Sequence, residues 1–190
     1  LRGGRIHDVY VDAYLLRGRT KAAQGLHTDA LKDYEAAMLY PDNLEVGRPN
    51  RDEGLCRINF LLGAAHEALN QPEKARDYFD KAASVKLRAS ELSYYKGLAL
   101  TKLGREDEAA KIFDEMIDSA KPGDTTEFFA KFGEKQAHNV NLARTHYRLA
   151  LAYMGKGDNA KAKTELEKTL ELNINHLWAG IYLAELNATP

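Results

Sequence analysis

Apolar residues along this 190-residue chain recur at steps of three and four, the spacing of one face of an α-helix. The recurrences come in pairs, and the pairs repeat. Four segments share one pattern: "YLLRGRTKAAQGLHTDALKDYEAAMLYP" (14–41), "NFLLGAAHEALNQPEKARDYFDKAASVK" (59–86), "SYYKGLALTKLGREDEAAKIFDEMIDSAK" (93–121) and "HYRLALAYMGKGDNAKAKTELEKTLELNI" (146–174). In each, a first helical stretch carries a small residue at a fixed place: Gly18, Gly63, Gly97 and Ala150. A turn follows, then a second helix in which an alanine precedes a large apolar residue by four. Those pairs are Ala30/Tyr34, Ala75/Phe79, Ala109/Phe113 and Ala162/Leu166. Gly25, Gly104 and Gly157 are placed to end the first helices, and Asn70-Gln71-Pro72 does so in the second segment. Thr28 and Asp158 are the expected side-chain caps of second helices.

The pattern resembles the tetratricopeptide repeat, with Leu-Gly-x-x-Tyr on helix A and Ala-x-x-x-Phe on helix B. Two antiparallel helices cross closely at the small positions, and the aromatic fills the space between them. The resemblance implies an all-α fold, a right-handed α-solenoid of about four tetratricopeptide hairpins with two insertions and a C-terminal capping helix. The expected repeats cover about 12–41, 57–87, 91–121 and 144–175, all in a single domain over 1–190. The sequence departs from the family in lacking the helix-A tryptophan, and its terminal proline is displaced to Pro41 and Pro122 or missing.

The helix-B alanines are separated by 45, 34 and 53 residues, and 34 is the family's own period. The first and last intervals exceed it by 11 and 19. The first excess falls in "YPDNLEVGRPNRDEG", with the insertion at about 42–54. Pro41 is expected to stop the preceding helix, and Gly47 and Pro49 keep the extension from becoming one. It either lines or covers a binding surface or is a longer connector. The second insertion, about 119–141, reads "SAKPGDTTEFFAKFGEKQAHNVN". Asp124 and Glu127 resemble a capping arrangement for a short helix carrying Phe128, Phe129 and Phe132, with Gly133 near its end. Those three rings either pack onto neighbouring repeats or form a contact patch. The last stretch, "HLWAGIYLAEL", is expected to cap the array over 176–187, with Trp178 in the core.

Composition narrows the chemistry. The chain has 27 basic and 28 acidic residues, net −1, so nucleic acid and anionic membranes are not expected as main partners. No apolar run nears the roughly 20 residues of a bilayer span. The single Cys56 allows no internal disulfide and is compatible with a reducing compartment such as the cytoplasm. The chain opens at Leu1 without a methionine, which suggests a fragment of a longer protein. No nucleophile elbow, phosphate loop or His-Glu-x-x-His pattern occurs, so no catalytic residue, metal or cofactor is expected. His138 and His146 lie two helical turns apart, too far for one metal. His66 stands in the repeat's tyrosine slot and is expected as a hydrogen-bonded core residue.

In the resembled family the A helices line a groove that binds partners. Carried over by position, its lining is Leu15 and Arg19; Arg57, Phe60, Ala64 and Glu67; Glu91, Tyr94, Leu98 and Lys102; and Arg144, Tyr147, Leu151 and Met154. One subclass grips a terminal carboxylate with asparagines, but the corresponding slots here hold Arg19, Ala64, Leu98 and Leu151. The resemblance therefore implies a non-catalytic module that binds a protein, peptide, helix or neighbouring domain in an apolar and aromatic groove. Tyrosine, phenylalanine and arginine are the residue types such binding favours. "YPDNLEVGRP" also resembles the C-terminal repeat region of large bacterial proteins with an uncharacterised, β-rich, carbohydrate-related N-terminal domain. That resemblance implies the alternative of a helical accessory or dimerisation domain, with catalysis upstream. Open ends of repeat arrays stack, so pairing of two copies is a further expectation.

Overall fold

A computed structural model of the chain describes residues 2–42, 47–120 and 132–188, with the side chains of 2–5 and 132–137 left aside. Among the described residues there are nine helices and no strand. They are α1 (Arg2–Ala23), α2 (His27–Ala37), α3 (Leu55–Ala68), α4 (Pro72–Ser84), α5 (Ser93–Lys102), α6 (Glu106–Ser119), α7 (Phe132–Gly155), α8 (Asn159–Leu172) and α9 (Leu177–Ala188). The chain divides into two compact units. Unit 1 comprises Leu1–Leu87 with Leu98–Ala109, and unit 2 comprises Arg88–Gly97 with Ala110–Pro190.

The small residues explain the hairpins. A Cβ added at Gly63 would lie 2.6 Å from Cε1 of Phe79, on the partner helix α4. At Gly18 it would overlap the ring of Tyr34, and at Gly97 that of Phe113. Each aromatic is at least 97% buried, so the ring is seated on bare backbone. In the last hairpin the pair is Ala150 and Leu166, both fully buried. A methyl group on α7 goes with a smaller side chain on α8, and the two changes offset each other in volume. Burying one such aromatic contributes about 2–3 kcal/mol.

The turns repeat to the atom. After α3, Gln71 N–H donates to His66 O and Asn70 N–H to Glu67 O, both at 2.9 Å, with Asn70 at φ 55°. The same two bonds follow α1, α5 and α7, where Gly25, Gly104 and Gly157 take the left-handed place. This closure satisfies carbonyls that a helix end leaves without partners. The next residue then starts helix B, so the capping places are Leu26, Gln71, Arg105 and Asp158. Asp158 caps with its side chain, accepting from Lys161 N–H at 3.1 Å. Thr28 does not cap, contrary to expectation. The turn at Gly25 is so short that Thr28 already lies inside the first turn of α2, and Leu26 holds the cap without a side-chain bond.

Two further expectations are revised. Helix α2 ends at Ala37, so Pro41 does not stop it; the chain has already left the helix through Met38. The stretch "RIHDVYVDAY" lies within the 22-residue α1. In the second insertion, Phe132 and Gly133 open the 24-residue α7 instead of closing a short helix, so 132–141 belong to the A helix of the fourth hairpin. Phe128 and Phe129, with the rest of 121–131, lie outside the described residues, as does the side chain of Phe132.

Candidate partner-binding faces

In unit 1, the first insertion is fastened to helices of its own unit. Tyr40 stacks on His7 of α1 with ring centroids 3.8 Å apart, and the Arg48 guanidinium lies over the Tyr40 ring, 5.1 Å from its centroid. Its hydroxyl donates to Asp52 Oδ2 at 2.9 Å. Burial and that carboxylate push the Tyr40 hydroxyl up to about 12. His7 Nε2 is 3.0 Å from Leu39 O, and Tyr10 donates to Ala36 O at 3.0 Å. Arg51 donates to Lys86 O just beyond α4, with Nε at 2.9 Å. The extra residues therefore tie α1 to the exit of α4. In the same unit the buried Asp33 accepts from Arg17 Nε at 3.0 Å and pairs with Lys21 Nζ at 2.9 Å. The bonds from Arg17 and Lys21 hold its carboxyl below the ordinary carboxylate range.

Along α3, Arg57, Phe60, Ala64 and Glu67 fall three and four residues apart and so share one face. Arg57 Nη2 donates to Asp12 Oδ1 of α1 at 2.8 Å, and both side chains are largely shielded. Lys102 Nζ, at the end of α5, is 2.6 Å from Glu67 Oε2, with both side chains more than 40% exposed. Phe60 lies between these ion pairs on α3, half-buried, with its ring 5.7 Å from Phe79. Leu98 is also half-buried. Unit 1 thus has a partly open face, apolar in the middle and charged at both ends. The Asp12–Arg57 pair escaped the sequence reading, although both residues sit at the same step before their glycine, 6 residues back.

In unit 2 three of the corresponding positions are covered. Tyr94 is 7% exposed, Tyr147 6% and Leu151 1%. The cover is α9. The ring of Tyr147 meets His176 at 4.4 Å, and that of Tyr94 meets Tyr182 edge-on at 6.2 Å. The hydroxyls of Tyr95 and Tyr182 are 2.6 Å apart. Trp178 is buried beside Tyr182, in the core as expected. Met154 and Glu91 are half-buried, while Arg144 is exposed. Unlike the other carried-over positions of unit 2, Arg144 remains at the surface.

Residues with reactive side chains are absorbed by packing. Cys56 is fully buried and its thiol donates to Ala82 O at 3.4 Å. His66 bonds Gln71 Oε1 through Nδ1 at 2.7 Å and stacks on Tyr78, a core histidine. His146 Nδ1 is 2.6 Å from Glu165 Oε2. Among the described residues no cluster of His, Cys, Asp or Glu could hold a metal ion, and no helix is long and apolar enough to cross a membrane.

Comparison with known proteins agrees with the packing. Tetratricopeptide-repeat family models match residues 58–125 and 143–176, together just over half of the chain. The chain carries tetratricopeptide repeats. Such repeats generally mediate protein–protein interaction and are typically non-catalytic. Solved structures similar to this tetratricopeptide-repeat chain include MamA from residue 41 to its end, from Desulfovibrio magneticus RS-1. It is 19% identical, with 94% of this chain and 84% of that one covered and a TM-score of 0.34. YrrB, described as a TPR protein with an unusual peptide-binding site, is 16% identical, with 89% of each chain covered and the same TM-score of 0.34. No curated protein matches the chain.

Proposed function

We propose that the chain is a protein-interaction module whose partner lies along the α3 face of unit 1. The observation that carries this is the half-buried Phe60 set between two ion pairs, Arg57–Asp12 and Lys102–Glu67. An apolar anchor with a charged rim suits a peptide or helix that offers one apolar side chain and flanking charges of both signs. Ala64 and Leu98 stand where a terminal-carboxylate grip needs amides, so the partner is held along its length and not by its end. Unit 1 offers a better opening than unit 2, where the chain's own α9 fills the equivalent positions.

The test is retention of partners from a lysate of the protein's source on immobilised wild type and on Phe60→Ala. A photo-crosslinking amino acid at position 60 then marks whatever is retained. Loss of an anchor of this kind costs about 1–3 kcal/mol, so the partner should be held at least about fivefold more weakly. Equal retention by a folded Phe60→Ala protein would refute the assignment.

A further inference from the structure

Helix α9 differs from the rest of unit 2 in how it begins. Its first turn is capped by His176, whose Nδ1 accepts the backbone N–H of Ala179 at 3.2 Å. Only an imidazole with an unprotonated Nδ1 can accept that bond. The same ring is pressed against Tyr147 of α7, and beneath α9 lie Tyr94 and Tyr95 of α5. One side chain therefore both starts the helix and fastens it to the face that it covers.

We propose that α9 is an acid-releasable cover, and that the aromatic face under it is a second docking surface, for a helix in trans built like α9. Such a helix carries a neutral cap and two aromatic side chains four residues apart, as Trp178 and Tyr182 are. The seated α9 is itself the evidence for what fits: its Tyr182 hydroxyl meets Tyr95 and its ring meets Tyr94 edge-on. Protonation of His176 removes the Nδ1 acceptor and places a positive charge at the positive end of the helix dipole. Arg144 of α7 repels that charge and Glu91, from the segment before α5, attracts it. Burial opposes it most, and the net effect holds His176 below its ordinary value of 6.5 while α9 is seated. Seating is thus complete above pH 6.5 and weakens as the pH falls below it. At pH 5.5, one unit below that ordinary value, release is favoured over pH 7.5 by up to about tenfold, the limit that the ordinary value sets.

Two measurements test this on the whole chain. Hydrogen exchange at α9 amides, corrected for the intrinsic effect of pH, should show more opening at pH 5.5 than at pH 7.5, by up to about tenfold. The amides of α8 should change much less, and His176→Asn, which keeps a neutral cap, should abolish the difference. A labelled peptide of residues 173–188 with the same His176→Asn change should then bind the wild-type chain more tightly at pH 5.5 than at pH 7.5, by the same factor as the increase in α9 opening. The proposal is overturned if α9 opening does not change with pH, or if the Asn variant keeps the pH dependence. Exchange that responds while the peptide fails to bind at either pH would overturn the docking surface.

Discussion

The A-helix positions at the same steps from the small residue meet opposite fates in the two units. In unit 1, Phe60 and Leu98 stay half-buried and the ends of the face are held by ion pairs. In unit 2, Tyr94, Tyr147 and Leu151 are buried, two of them directly against α9 and its cap. The hairpins beneath are built alike, with an aromatic or leucine on a small residue and the same closing turn. Place in the repeat therefore decides how a side chain supports its hairpin, whereas its accessibility depends on which further element lies over it.

The largest effects should come from the shared interior. Phe79→Ala in unit 1 and Phe113→Ala in unit 2 should each cost about 3–5 kcal/mol in urea melts. Similar losses would show that the two faces differ for reasons outside the cores, and very different losses would break the comparison. Next in size is a contrast between faces. Tyr147→Ala, which removes a buried ring from under His176, should cost about 3 kcal/mol. Phe60→Ala, at a half-buried position, should cost about 1 kcal/mol. If the two losses came out equal, the claim that only one face is covered would fail.

A smaller effect concerns acid. His176 is held low while α9 is seated, so the seated form binds fewer protons and loses stability as pH drops below 6.5. Between pH 7.5 and 5.5 that loss should be at most about 1.4 kcal/mol, read as a shift in α9 protection. The smallest change is expected at the rim of unit 1. The Lys102–Glu67 pair is more than 40% exposed at both ends, so Lys102→Ala should alter stability by under about 0.5 kcal/mol. Salt should abolish even that difference.

The hairpins were legible because their chemistry is local and repeated. A glycine 16 residues before an aromatic, three times over, reports a close helix crossing, and the left-handed turn residue recurs at the same step, with Asn70 in the one place where glycine is missing. Boundaries were less legible. Thr28 has the right chemistry for a cap, but the closing turn of α1 had already fixed the cap at Leu26. Gly133 suggested a helix end, yet it lies in the second position of α7, where one glycine costs about 1 kcal/mol and the following turns outweigh it. The cover over unit 2 was legible only in part: a capping helix at 176–187 was expected, but not which side chains it would bury. Nothing in the spacing of Tyr94 and Tyr147 says that α9 returns to them, because that contact joins residues 87 positions apart at Tyr95 and Tyr182. The insertion around Tyr40 shows the same limit: its prolines and glycines marked a break in the helix, but its stacking on His7 depends on where α1 runs.

The most direct test of the open and covered faces is carbene footprinting of the intact chain at pH 7.5, read residue by residue by mass spectrometry. The account predicts clear labelling at Phe60 and protection at Tyr94 and Tyr147. Labelling of Tyr94 and Tyr147 as strong as that of Phe60 would contradict it, because α9 would then not be covering unit 2.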